Sequence, residues 1–201
     1  MSETIWDLLN LIREVESPSY AEHRALFDAL TEATWIAKTI ESELFIRGDA
    51  AWHDAVFLGN LINPVAHRLL STPEQDLGKQ NLPISTACRL GITLFIIILK
   101  QQSQGCPAPS TPYISKVVGL LQQDIATPSY TSSSLLVLRL WLLLLCTVAY
   151  PDTSLLPEIS IMIIDVIKEL KLNSWAELLE TVRVMPWISK FETRKGFARY
   201  I

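Results

Sequence analysis

The sequence predicts an all-α chain, a single domain built as an irregular array of about seven to nine helices. Three observations carry this prediction. Apolar residues recur at three- and four-residue spacing in segment after segment, leaving little room for strands. Proline and small polar residues cut the chain into pieces of helical length. The composition is 49% hydrophobic against 19% charged, so much of the chain must be buried. Its 201 residues fall within the usual size of one domain, and no internal repeat or low-complexity run divides them.

The first helix is expected over 2–14, with Ile5, Leu8, Leu9 and Ile12 on one face. Ser17-Pro18-Ser19 breaks it, and Ser19 with Glu22 makes a capping box for a second helix over 20–46. Gly48 suits a left-handed C-terminal position, and Asp49 is the expected cap of a third helix over 50–70. Pro64 lies inside that pattern, which predicts a kink or break near Asn60 to Asn63. Thr72-Pro73 opens a short helix that Gly78 and Pro83 limit.

A strongly apolar helix then runs from 84 to just before Gly105, and the proline-rich stretch 106–112 is a loop within the domain. Helices over 113–126 and 133–149 follow, separated at Thr127-Pro128-Ser129. Beyond Tyr150-Pro151-Asp152, Ile159, Ile163, Val166, Ile167 and Leu170 have core spacing in a helix over 156–170. Ser174 and Glu177 form a second capping box before a helix over 175–184, and Pro186 leads into a mixed tail.

The formal net charge of -4 and a pI of about 5.4 offer phosphates no general attraction, so direct nucleic-acid binding is not expected. Cys88, Cys106 and Cys146 lie far apart and match neither a metal site nor a disulfide framework, and they read as reduced intracellular thiols. The acidic N-terminus, Met1-Ser2-Glu3, lacks the features of a signal peptide. The apolar runs 90–99 and 135–149 fall short of the ~20 residues a spanning helix needs, and Arg139 interrupts the second, so no membrane span is expected.

Several short patterns follow one another in the C-terminal part of the chain. Cys88-Arg89-Leu90 opens the long apolar helix, the proline-rich loop follows, and then come Leu140-Trp141-Leu142-Leu143, Ser174-Trp175-Ala176-Glu177-Leu178 and Pro186-Trp187-Ile188. In this order they resemble the C-terminal part of the fungal-specific transcription factor domain, the regulatory region of fungal zinc-binuclear-cluster regulators. The match is best from 85 to 190, with a looser likeness over 20–70. The resemblance implies an all-helical fold and a ligand-sensing or self-associating role, with no catalytic motif to carry over. The DNA-binding module of such regulators needs six cysteines in a basic cluster, and the three isolated cysteines here do not supply it. A regulatory region without its own DNA reader is the expectation.

Candidate site residues come from two places. His53, Asn60, Asn63 and His67 recur at offsets of seven, three and four and share one face if the helix is continuous. They form either a solvated stripe opposite a core face of Ala55, Ile62, Ala66 and Leu69, or a cavity wall in which the histidines exchange protons and the asparagines orient a ligand. His53 and His67 are roughly 21 Å apart along such a helix, too far to share a metal ion, and no metal or cofactor is expected.

Arg139 sits in a helix that otherwise looks buried all round. It is read as a structural partner of Asp124, Glu158 or Asp165, as a head that snorkels to the surface, or as an anchor for a ligand carboxylate or enolate. Trp141 beside it is a candidate ligand-binding ring, although core packing accounts for most of the six tryptophans.

No GxGxxG, GxxxxGK[ST] or GxSxG pattern occurs, which removes most of the case for nucleotide-dependent or serine-hydrolase chemistry. Two functions stay open. One is a regulator-like domain that binds a small apolar ligand, a protein partner or a second copy of itself. The other is a cofactor-independent cyclase, isomerase or dehydratase of secondary metabolism that uses an apolar cavity for proximity and orientation.

Overall fold

The computed structural model describes residues 2–16, 20–71, 84–104, 110–124, 132–149 and 156–193. Among them are eight α-helices and no strand: α1 Glu3–Glu16, α2 Tyr20–Arg47, α3 Ala55–Ser71, α4 Ile84–Gln104, α5 Thr111–Asp124, α6 Ser133–Ala149, α7 Leu156–Glu169 and α8 Trp175–Val182. The chain is the all-α helical array that its periodicity predicts. Two 3-10 segments, Gly48–His53 and Ser189–Thr193, complete the described elements.

Two apolar helices organise the rest. α6 is buried over nearly its whole length and touches α1, α4, α5, α7 and α8, whereas α4 touches α1, α2, α3, α5 and α6. Where α4 and α6 cross, Gly91 has no side chain to hold them apart, and the Trp141 indole lies against the α4 backbone. Trp141 is fully buried, and its Nε1 donates to the Pro186 carbonyl at 2.9 Å. That bond draws the segment after α8 into the core, where Trp187, Ile188 and Phe191 are all buried. Phe191 stacks edge-on against both Phe95 of α4 and Trp187. The expected mixed tail is, as far as residue 193, a core element.

Several termini follow local chemistry. Gly48 takes a φ of 57° after the last residue of α2, as a left-handed stop requires. Ser174 caps α8 by accepting from the Glu177 amide at 3.2 Å, but the Glu177 carboxylate reaches back to the Asn173 amide instead of the cap's own. α7 ends with the left-handed residue Lys171, while the Leu172 amide reaches the Ile167 carbonyl and the Lys171 amide the Lys168 carbonyl, the paired bonds of a Schellman motif. α5 starts at Thr111 and not at 113, because Pro112 falls in the first turn, where its missing N–H costs nothing.

Three expectations need correction. The third helix does not run from Ala50: a 3-10 turn ends at His53, and Asp54, not Asp49, caps α3 by accepting from the Phe57 amide at 2.9 Å. Pro64 does not break α3, and it lies on the exposed side of the helix with Asn60 and Asn63. The core face of α3 is Leu58, Ile62 and Val65, and Ala55 is exposed.

The apolar fourth helix is also longer than its run of apolar residues suggests. By length and composition Ile84–Ser103 is able to cross a membrane. In this fold, however, Ile92, Leu94, Phe95, Ile98 and Leu99 are buried among the surrounding helices, as in the central helix of a globular core. The expected caps and turns at Ser19, Thr72-Pro73, 106–109, Thr127-Pro128-Ser129 and Tyr150-Pro151-Asp152 lie outside the described residues.

Candidate functional site

The residues singled out in sequence do not converge. His53 ends the 3-10 turn, and Asp54 separates it from α3, so it does not share a helix face with the other three. Asn60, Asn63 and His67 do share a face of α3, and all three are exposed, as is His53. Among the described residues this is a solvated stripe opposite Leu58, Ile62 and Val65. No group of three histidine, cysteine or acidic side chains in metal-binding reach occurs among the described residues.

Arg139 and Trp141 are close in sequence and differ in role. Trp141 is a core strut with its one polar atom already bonded to Pro186. Arg139 is half-buried beside the half-buried Leu135 and Leu136, on the side of α6 less covered than the rest. Its Nε is buried without a hydrogen-bond partner. Glu158 instead accepts from Gln122 at 3.4 Å, and Asp165 pairs with Lys168 at 3.9 Å, while the Asp124 side chain lies outside the described residues.

Cys88 and Cys146 are buried, and burial pushes each thiol up to about 12, with the nearby Glu16 charge adding to the effect at Cys88. A thiol that stays protonated near neutrality is a poor nucleophile. Cys106 lies outside the described residues.

No family model, no curated protein and no solved structure matches this chain.

Among the exposed large apolar side chains, which also include Trp6, Trp35, Ile161 and Ile164, the three most exposed lie at the corner where α2 ends and α3 begins. Phe45 is 92% exposed, Ile46 69% and Val56 74%. The corner is braced by its charges. Arg47 bonds Glu43 at 3.0 Å and Asp54 at 3.1 Å, with its guanidinium 5.5 Å from the centre of the Phe57 ring. Lys190 reaches Asp49 at 2.6 Å, and the Ser189 amide donates to Glu41, which tie the C-terminal 3-10 segment to the same region. The Phe57 amide bond and then the Arg47 side chain lower the Asp54 carboxyl below its ordinary value.

Trp52, in the 3-10 segment between the two helices, is buried with its Nε1 unpartnered. The sequence held a signal for the corner. The buried stripe of α2 runs Leu26, Leu30, Ala33, Ala37 and Ile40, and Leu44 continues it at the next turn, so Phe45 and Ile46 fall off its line.

Proposed function

We propose that this chain is a regulator-like helical domain that works by binding a protein partner through the Phe45–Ile46–Val56 corner, and that catalysis is not its task. The exposure of those three side chains on a braced framework carries the reading. The ion pairs of Arg47 hold the two helix ends that carry these side chains, so covering them costs side-chain rotamer freedom but little rearrangement of the backbone. The order of motifs over 85–190, which resembles the effector region of fungal zinc-cluster regulators, supports a regulatory setting. Acting through a partner also suits a net charge of -4, which gives nucleic acid little direct attraction. A small apolar ligand fits this corner less well, because side chains this exposed bury little of a small molecule.

The test is to replace the gene in its host with a Phe45→Glu, Ile46→Glu allele and compare that strain with a deletion. Transcripts of neighbouring genes should change alike in both strains. Unchanged transcripts together with one accumulating intermediate or shunt product in the deletion strain would overturn the regulatory reading and name a substrate class.

One observation favours the enzyme reading, the buried, unpartnered Nε of Arg139. A planar guanidinium with a donor to spare suits a carboxylate or enolate. Arg139→Met separates the roles. A guanidinium without a structural acceptor should be replaced with little change in stability, on the order of 1 kcal/mol or less. If Arg139 anchors a substrate, the same variant loses product formation while staying folded.

A further inference from the structure

We draw no further inference here: the strongest candidate, the exposed apolar corner between the end of α2 and the start of α3, belongs to the site already described, and nothing in the structure shows which molecule covers it.

Discussion

Trp141 fits against Gly91 so closely that a Cβ added to the glycine would lie 2.7 Å from the indole Cη2 and 2.8 Å from Leu142 Cδ2, with Cζ3 closer still. The obstacle is a fixed ring at the centre of the fold, not the loose end of a flexible chain. Gly91→Ala should therefore cost about 1–3 kcal/mol or more, as overpacking a close helix crossing does. Gly119 in α5 is the control, since nothing lies within 4 Å of its added Cβ. Gly119→Ala should stabilise by about 0.5–1 kcal/mol, because alanine loses less backbone freedom on folding. Denaturant midpoints of the two variants should move in opposite directions. Equal shifts would mean that α4 and α6 do not cross at Gly91.

Lys171 holds a φ of 56°, a conformation that disfavours a side chain with a Cβ, and it is exposed at the end of α7. The Asn173 Nδ2 donates to its carbonyl at 3.0 Å, so the turn is fixed from outside as well as by its Schellman bonds. Glycine relieves the strain but loses more entropy from the unfolded chain. The balance predicts a gain of about 0.5–1 kcal/mol for Lys171→Gly. Thermal unfolding reads it directly, and a lower midpoint would show that the turn is not left-handed.

Asp54 makes the corner sensitive to acid. Its folded pKa lies below the ordinary value of 3.8, first because of the Phe57 amide bond and then because of Arg47. A depressed carboxyl contributes stability that is present above its unfolded pKa and disappears as pH falls through the folded one. Asparagine still caps a helix but carries no charge. Asp54→Asn should thus be less stable than the parent at neutral pH, and the difference should shrink below the ordinary carboxyl range. A gap that persists there would place the effect in the cap, not in the charge.

How much of this was legible in the sequence depends on the range of the interaction. Gly48 and Ser174 were readable because a left-handed stop and a side-chain cap involve only neighbours in sequence. The choice of Asp54 over Asp49 was not, because both acids precede the same apolar run, and Asp49 is bonded instead to Lys190 from the far end of the chain while Asp54 accepts from the Phe57 amide. α6 hides its contacts for a different reason. A helix buried almost all round has no periodicity to show which residue meets which neighbour, so Trp141 gave no sign that it would find Gly91 and Pro186. The His53, Asn60, Asn63 and His67 constellation assumed a continuous helix, and one 3-10 turn removes His53 from it.

The same logic makes the apolar corner separable from the fold. Phe45 and Ile46 face solvent at 92% and 69%, so the folded chain gains little from them, and glutamate at both sites should cost no more than about 1–2 kcal/mol, chiefly from placing negative charge in the last turn of α2. Phe191 is the contrast. It is fully buried between Phe95 and Trp187, and Phe191→Ala should cost about 3–5 kcal/mol. Chemical denaturation of both variants checks the pair. A Phe45→Glu, Ile46→Glu protein that stays folded but has lost its effect on transcripts places the activity at the corner, because no change in the core accompanies the loss. A protein that unfolds instead shows that these side chains are covered in the native chain and are not a surface offered to a partner.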